Sequence, residues 1–294
     1  MRIDLHTHSR VSDGTDTPRE LLAAAAAAGV DVVGLTDHDT SDGWSEAYQA
    51  ADDLGLGLIP GMEVSTQHQG HSVHLLSYLH DPTYEPLLEE IDLILEGREG
   101  RVERMVSVLN GLDLPVTVED VLAESADAVS TGRPHVADAL VRRGLVRDRD
   151  EAFRLYLSWG KPAYVERYAP DLVSMIAMVA AAGGVSVIAH PWGRSGESHR
   201  LDESAFAYLK AQGLAGIEVD HQTHTAAMRV HLESIARNLG LVITGASDYH
   251  GRGKKDHELG VNVTSAEELE RLLDRAKATA AVSGRPTPAV VMPR

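Results

Sequence analysis

Histidine and acidic residues follow directly after short apolar segments of this sequence, in positions where they could hold divalent metal ions. Residues 2–5 run into His6 and His8, which point the same way if the strand continues, and Asp13 follows in the next loop. Other apolar segments end in the same way, and the residues concerned are His38, Glu63, His190, Asp248 and His250. Because neutral imidazoles and carboxylates bind ions such as Zn, Mn and Fe, the pattern predicts a metal centre.

The chemistry of such a centre depends on carboxylates that contact two ions at once. An acid such as Glu63 can bridge two metals, and bridged metals generate a hydroxide nucleophile and stabilise a displacement at phosphorus. Taken singly, each residue also has a structural explanation, since a strand-end acid such as Asp39 can cap the following helix. Burying so many ionisable groups together without a metal would cost several kcal/mol each. The joint pattern therefore favours a multinuclear site.

The segments that must position these residues alternate between strand-like and helix-like patterns. Strands are predicted at residues 2–5, 31–36, 57–60, 73–79, 185–189, 215–219 and 241–246. Helices are predicted at residues 18–28, 43–54, 171–182, 203–212, 226–239 and 265–277, the first with Thr17 as N-cap and Glu20 at the capping-box position. The alternation predicts parallel strands with right-handed crossovers, and about seven such units predict a (β/α) barrel. In a barrel the C-terminal ends of the strands share one face, which would bring the predicted ligands together.

Residues 83–165 interrupt this alternation, because they show nearly continuous helical patterns and no convincing strand. We interpret them as an inserted helical subdomain, so that the barrel consists of residues 1–82 and 166–280. Residues 281–294 are rich in proline and small side chains and are predicted to form a loose C-terminal tail.

The composition excludes several classes of protein. The 294 residues are 43% apolar, which suits one large globular domain or two small ones. The absence of cysteine excludes disulfides, thiolate zinc sites, iron–sulfur clusters and a cysteine nucleophile. A net charge of −17 argues against a broad basic surface for long nucleic acid. Because the first residues are polar and no apolar segment has membrane-spanning length, we expect a cytoplasmic protein with no membrane partner.

The motifs around these residues resemble those of the PHP (polymerase and histidinol phosphatase) family of metal-dependent phosphoesterases. They are DLHTHSRVSDGT, LTDHDT, PGMEVS, HLLSYLHDP, AHP and SDYHG, in this order and over almost the whole chain. The resemblance implies an α/β fold, a distorted (β/α)7 PHP barrel with an inserted helical subdomain. It is strongest to a subgroup whose insertion carries GRPH, here residues 132–135. That subgroup resembles nucleotide phosphatases acting on nucleoside 3′,5′-bisphosphates or short 5′-phosphorylated oligoribonucleotides.

The same resemblance implies two or three divalent ions, Mn, Fe or Zn, each with its own ligands. The first ion would be held by His6, His8, Glu63 and Asp248. The second would share Glu63 as a bridging ligand and add His74 and His190, of which His74 lies inside a strand and is identified by the resemblance alone. The third would be held by Asp13, His38 and His250.

The predicted substrate is a small phosphorylated molecule, and we expect a nucleotide. Arg133 offers a planar donor fork for phosphate at the start of a helix. The other residues predicted to contact substrate are His135, Lys161, His221 and His224. A metal-bridging hydroxide would attack phosphorus, and Asp248 is a candidate for proton transfer to the leaving group. Five further histidines are expected in solvent, namely His68, His71, His80, His231 and His257, and His199 carries a weaker signal for substrate contact.

The sequence thus predicts a phosphoester hydrolase that releases phosphate from nucleotides, with three alternatives open. A histidinol-phosphate phosphatase would use the same barrel motifs. An exonuclease on long strands is disfavoured by the acid excess and the 4% aromatic content, although a short oligonucleotide end would fit. A non-catalytic metal-binding module is disfavoured by the complete ligand set. The sequence carries no signal for the oligomeric state or for which phosphate is cleaved.

Overall fold

The computed structural model describes residues 1–97, 100–125, 128, 131–193, 201–252 and 254–294. The strands are β1 (Ile3–Thr7), β2 (Val32–Leu35), β3 (Gly57–His68), β4 (His71–Tyr78), β5 (Val185–Ile188), β6 (Gly216–Asp220) and β7 (Val242–Gly245). The helices are α1 (Pro18–Ala27), α2 (Trp44–Leu54), α3 (Glu85–Glu96), α4 (Arg101–Asn110), α5 (Val118–Glu124), α6 (Arg133–Arg142), α7 (Arg149–Ala152), α8 (Leu172–Ala181), α9 (Glu203–Ala211), α10 (Ala226–Leu239) and α11 (Ala266–Ser283). Residues Phe153–Leu157 continue α7 as a π-helical turn. The strands and helices predicted outside residues 83–165 are present, with β3 and α11 longer than predicted.

Local sequence signals explain where the elements begin and end, as α1 illustrates. The Thr17 hydroxyl accepts a hydrogen bond from the Glu20 N–H at 3.1 Å, and the Glu20 carboxylate accepts one from the Thr17 N–H at 2.9 Å. Gly29 follows the helix with a φ of +72°, a left-handed conformation that favours glycine. The predicted capping box is therefore confirmed.

The strands form one sheet in which their order follows the sequence from β1 to β7. β1, β2 and β3 pair in parallel, and so do β5, β6 and β7, but β4 runs antiparallel to both of its neighbours. The prediction of parallel pairing throughout is therefore wrong at β4. The physical reason is the short turn between β3 and β4, where Gln69 and Gly70 adopt φ values of +51° and +79°. Such a turn reverses the chain directly and leaves no room for a crossover helix.

Hydrogen bonds between the ends of β1 and β7 nearly close the sheet into a barrel. The Asp248 N–H donates to the His6 carbonyl at 2.9 Å, and the His8 N–H donates to the Tyr249 carbonyl at 2.8 Å. The fully buried Asp4 carboxylate strengthens this seam by accepting backbone N–H groups of residues 247 and 260, at 3.0 and 2.8 Å. Burial raises the pKa of Asp4 despite these bonds. The barrel prediction is confirmed, and its seam lies next to the predicted ligands.

The helical insertion has a hydrophobic core of its own. Its fully buried members include Met105, Leu109, Val121, Val136 and Leu140. By contrast, α3 packs its apolar side chains, such as Ile94, into the core shared by the barrel helices. The predicted boundary at residue 83 stays a prediction, because the separate core of the insertion begins after α3, at Val102.

The C-terminal segment, predicted as a loose tail, is attached to the barrel. Val291 and Leu58 exchange backbone hydrogen bonds at 2.9 and 3.1 Å, next to the part of β3 that pairs with β2. The Tyr48 hydroxyl donates to the Ala289 carbonyl at 2.6 Å, and the Arg294 N–H donates to the Gly55 carbonyl at 3.1 Å. Proline content alone could not predict this pairing, because it depends on the edge of residues 57–60 of β3 that faces away from β2, which is far away in sequence.

In the part of the chain that the structure describes, every helix is too short or too polar to cross a lipid bilayer.

Deleting residues 287–294 should destabilise the protein. The deletion removes the backbone bonds to Leu58 and Gly55, which together contribute about 2–4 kcal/mol to the free energy of unfolding. We expect a Tm lower by about 5 °C or more, measured by circular dichroism. Val282→Ala, at a 90% exposed position of α11, is the control and should leave Tm unchanged. An unchanged Tm in the deletion variant would mean that the segment is loose, as its composition predicts.

Candidate active site

The predicted ligands meet at one end of the barrel. His6 lies in β1, Glu63 in β3 and His190 just after β5, and all three are buried. The remaining ligands from strand ends, His8, Asp13, His38, Asp248 and His250, lie at the same end. His74 also reaches this face, because β4 runs antiparallel and therefore begins where its neighbours end. This reversal explains why a rule based on strand C-termini misses His74.

Glu63 is the centre of the cluster. Five ring nitrogens lie within 3.4 Å of its two carboxylate oxygens, and they belong to His6, His8, His38, His74 and His190. Burial alone would raise the pKa of Glu63, but the surrounding imidazoles hold it well below its usual range. The carboxylate is therefore ionised, and each of its two oxygens faces imidazoles of different strands. A ligand that contacts two metal ions needs this arrangement.

Asp248 and Asp13 are two further buried carboxylates of the cluster. Asp248 Oδ1 lies 3.4 Å from a ring nitrogen of His8, and Asp248 Oδ2 contacts the Lys254 ammonium. Asp13 Oδ1 lies 3.2 Å from His250 Nε2. Burial opposes ionisation at both, yet Lys254 and the imidazoles around Asp248 hold its pKa well below its usual range, and His250 and its neighbours do the same for Asp13. Both carboxylates are thus available as anionic ligands.

The donor atoms of this cluster fit divalent metal ions. Buried atoms without a hydrogen-bond partner among the described residues include His8 Nδ1, Asp13 Oδ1, His38 Nδ1, Glu63 Oε2 and Asp248 Oδ1. The ligand atoms form five sets whose members lie within 4.8 Å of one another. These sets are His8, Asp13, His38 and His250; His6, His8 and Asp248; His6, Glu63 and His190; His38, Glu63 and His74; and His221, Asp248 and His257. Imidazole nitrogens and carboxylate oxygens of this kind suit Mn, Fe and Zn. The arrangement can hold divalent metal ions.

Glu218, in β6, is a residue of this site that the sequence analysis missed. Its Oε1 lies 3.1 Å from His6 Nδ1, and its Oε2 accepts a hydrogen bond from the His190 backbone N–H at 2.8 Å. A carboxylate that accepts a hydrogen bond from one ring nitrogen of a histidine fixes the orientation of the ring and leaves the other nitrogen for a metal. The available signal was an acid inside a strand that is otherwise apolar, and such an acid is expensive to bury without a partner.

The loop that carries His38 is held by carboxylates on either side of it. Asp37 accepts hydrogen bonds from the Ser9 N–H at 2.8 Å and from the Ser12 hydroxyl at 2.6 Å. Asp39, at a φ of +52°, accepts from the Ser65 N–H at 2.7 Å. Asp39 therefore ties this loop to β3 and does not cap α2, whose N-cap is Gly43.

The residues predicted to contact substrate have different surroundings. Arg133 and His135 line a cavity between the barrel and the insertion. His135 also accepts a hydrogen bond from the Gly132 N–H at 3.0 Å and so stabilises the first turn of α6. Lys161 is exposed and does not belong to the cavity lining. His221 is buried behind the cluster, with Nε2 3.1 Å from Asp248 Oδ2. His224 Nδ1 bonds to the Val219 carbonyl at 2.8 Å and its Nε2 accepts the Trp192 N–H at 3.3 Å, so that the backbone occupies both nitrogens.

Two histidines expected in solvent are buried instead. His80 is 1% exposed and bonds to the Ser77 hydroxyl at 2.8 Å, and burial lowers its pKa to about 4. His257 is 9% exposed, and burial also lowers its pKa to about 4. Both sit in loops whose burial depends on distant parts of the chain, which local polarity cannot reveal. His199 lies outside the described residues.

A cavity of about 1020 Å³ adjoins the cluster, between the barrel and the insertion. Its lining includes six cationic side chains, Arg101, Arg133, Arg149, Arg154, Arg167 and Lys254. The acidic residues in the lining are Asp13, Asp150 and Asp202. In a chain with a net charge of −17, this local excess of cations creates a region that attracts anions. Of these six cations, only Arg133 was predicted from the sequence to contact substrate, because the others come from separate helices and loops.

Comparisons with known proteins agree with this geometry. Residues 4–129 match the family model described as PHP domain. The chain is 34% identical to the 3′,5′-nucleoside bisphosphate phosphatase of Chromobacterium violaceum, over 88% of this chain and 90% of that protein. It is 33% identical to a 5′-3′ exoribonuclease of Haemophilus influenzae, over 85% of this chain and 90% of that protein.

The fold also matches the crystal structure of a candidate metal-dependent phosphoesterase from Bifidobacterium adolescentis. The TM-score is 0.88 at 37% identity, covering 93% of this chain and 96% of that one. Fold, site and relatives together define a phosphoester hydrolase. Within that class, the chain belongs to the PHP family.

Glu218→Gln should weaken metal binding without unfolding the protein. The amide keeps the size of the carboxylate, but it cannot accept hydrogen bonds from both His6 and the His190 N–H. We expect the metal affinity to fall about 10- to 100-fold, measured by competition with a chelator. Glu233→Gln, at a partly exposed position of α10 where the carboxylate pairs with Arg237, is the control and should retain full affinity. Equal metal affinities in wild type and Glu218→Gln would exclude a positioning role for Glu218.

Proposed function

We propose that this protein is a metal-dependent hydrolase that releases phosphate from nucleotides, with nucleoside 3′,5′-bisphosphates and short 5′-phosphorylated oligonucleotides as substrates. The observation that carries the proposal is the cationic cavity that adjoins the buried histidine and carboxylate cluster. A substrate with more than one phosphate would use both features, with one phosphate at the cluster and another among the arginines. The names of the relatives from Chromobacterium violaceum and Haemophilus influenzae support the same substrate class.

The metal centre would hold two or three ions, of Mn, Fe or Zn. The proposed ligands are His6, His8, Asp13, His38, Glu63, His74, His190, Asp248 and His250. When bound, such ions activate water and stabilise the charge that develops on phosphoryl oxygens. Glu63 is the proposed bridging ligand, because its two oxygens face different groups of imidazoles.

Arg133 and Arg149 would position the phosphate. The Arg133 guanidinium lies against the Phe153 and Tyr164 rings, 5.7 and 5.4 Å from their centroids, and donates to a backbone carbonyl at 3.2 Å. This packing orients a planar donor group that lines the cavity and suits bidentate contact with phosphate. Arg149 is paired with Asp138 and approaches the Asp13 carbonyl at 3.4 Å. The positive charge of its guanidinium therefore lies beside the cluster.

The proton required by the leaving group has no strong donor among the predicted residues. Lys254 and the imidazoles keep Asp248 ionised, which suits a metal ligand better than a proton donor. His221 contacts Asp248 from behind and could orient it. Asp248 is therefore proposed as a metal ligand and not as the proton donor.

Histidinol phosphate is the alternative substrate. Its amine is protonated at neutral pH, and the cavity would bring that cation near Arg133, Arg149 and Lys254. Like charges at such positions repel one another. The lining therefore favours a substrate in which the groups other than the hydrolysed phosphate are neutral or anionic.

The proposed activity is tested by measuring phosphate release from a panel of four compounds. The panel contains adenosine 3′,5′-bisphosphate, a 5′-phosphorylated trinucleotide, AMP and histidinol phosphate. Protein reloaded with Mn should release phosphate fastest from the bisphosphate or the trinucleotide, and chelator treatment should abolish the release. Faster turnover of histidinol phosphate, or no release from any nucleotide, would contradict the proposal.

Two variants should separate the metal centre from the phosphate contacts. Glu63→Ala should lose its metal and all activity, because it removes the carboxylate that faces five imidazoles. Arg133→Ala should keep its metal content but lose about 10- to 100-fold in kcat/KM, as expected for charge-assisted hydrogen bonds to phosphate. Arg104→Ala, at an exposed position of α4, should match wild type. Full metal content and activity in Glu63→Ala would contradict the assigned site.

A further inference from the structure

Aromatic side chains are scarce in this protein, but several of them gather at the cavity. The chain has 2 Phe, 3 Trp and 8 Tyr among 294 residues. Those in the cavity lining are Phe153, Trp159, Tyr164 and Tyr208. Phe153 and Tyr164 pack against the guanidinium of Arg133 and so contribute to phosphate binding. Of the other two, Trp159 is the more exposed, at 63% against 52% for Tyr208.

Trp159 differs from the other tryptophans in its exposure. It is 63% exposed, whereas Trp44 and Trp192 are 7% and 5% exposed. Tryptophan is enriched at binding surfaces, where one part of the ring is buried and the other stays in contact with water. Trp159 is exposed in this way within the cavity lining. The His71 ring lies beside it, with centroids 6.1 Å apart and planes at 67°, an edge-to-face contact that orients the indole.

The position of this pair relative to the metal cluster can be estimated along β4. His71 begins β4, and His74 lies three residues further along the same strand. At about 3.3 Å per residue, the two histidines lie roughly 10 Å apart along the strand. Their side chains leave the strand on opposite faces, but His71, His74 and Trp159 all line the same cavity. This separation is comparable with the reach of a nucleotide from its phosphate to its base.

We propose that Trp159, oriented by His71, is a stacking platform for a nucleobase whose phosphate is held at the metal cluster. The inference rests on the proposed function and adds to it the part of the substrate that the enzyme recognises. Bases stack on exposed aromatic rings regardless of their sequence, because every base has a π-face. The platform therefore favours base-bearing phosphoesters over sugar phosphates and accepts purines and pyrimidines alike.

The experiment compares the metal-loaded full chain with Trp159→Ala and Trp159→Phe on two substrates. Adenosine 3′,5′-bisphosphate carries a base, and ribose 5-phosphate does not. Trp159→Ala should raise the KM for the bisphosphate about tenfold or more with little change in kcat, and leave the KM for ribose 5-phosphate unchanged. Trp159→Phe keeps an aromatic ring and should restore most of the affinity. Tyr168→Ala, which removes an exposed ring outside the cavity lining, is the matched control.

A second readout does not depend on hydrolysis. Adenosine should quench the tryptophan fluorescence of the wild-type protein, because Trp159 is the exposed tryptophan, and ribose should not. The quenching should disappear in Trp159→Ala. No change in the KM for the bisphosphate, or an equal rise for both substrates, would overturn the platform while the proposed function stands. If the wild type hydrolyses no nucleotide but adenosine quenching is lost in Trp159→Ala, the proposed function fails and the platform is supported.

Discussion

The burial of Glu63 among five imidazoles is the interaction on which the rest of this structure depends. The carboxylate is fully buried, and a buried charge is stable only when opposite charges or strong hydrogen bonds surround it. Its partners come from β1, from the loops after β1, β2 and β5, and from the reversed strand β4. A single side chain of β3 thus requires four other strands, β1, β2, β4 and β5, to bring their histidines to one place. Two other buried carboxylates help to position these histidines. Asp4 accepts a hydrogen bond at the seam between β1 and β7, and Glu218 orients the His6 ring.

The barrel and the insertion contribute different parts of the site. The barrel supplies the donor atoms that suit divalent ions, while α4 to α7 and the turns beside them supply most of the cations that line the cavity. Arg149 links the two, because it pairs with Asp138 within the insertion and approaches the backbone of the Asp13 loop. A strongly acidic protein can therefore bind an anion, since the favourable potential is confined to one cavity.

Local signals made much of this arrangement predictable from the sequence. The caps of α1, the alternation of strands and helices, and ligands directly after apolar segments are all properties of neighbouring residues. Features that depend on distant partners could not be predicted in the same way. The reversal of β4 arises from a two-residue turn, and Glu218 lies within an apolar strand with no motif around it. The burial of His80 and the attachment of Val291 to β3 likewise depend on contacts across the fold.

Anomalous diffraction from crystals of the Mn-reloaded protein would show directly whether the buried histidines and carboxylates bind metal. We expect at least two anomalous peaks within the cluster, one of them near Glu63, His74 and His190. The absence of anomalous density in the cluster, or peaks confined to surface carboxylates, would contradict the assignment of these buried side chains as a metal centre.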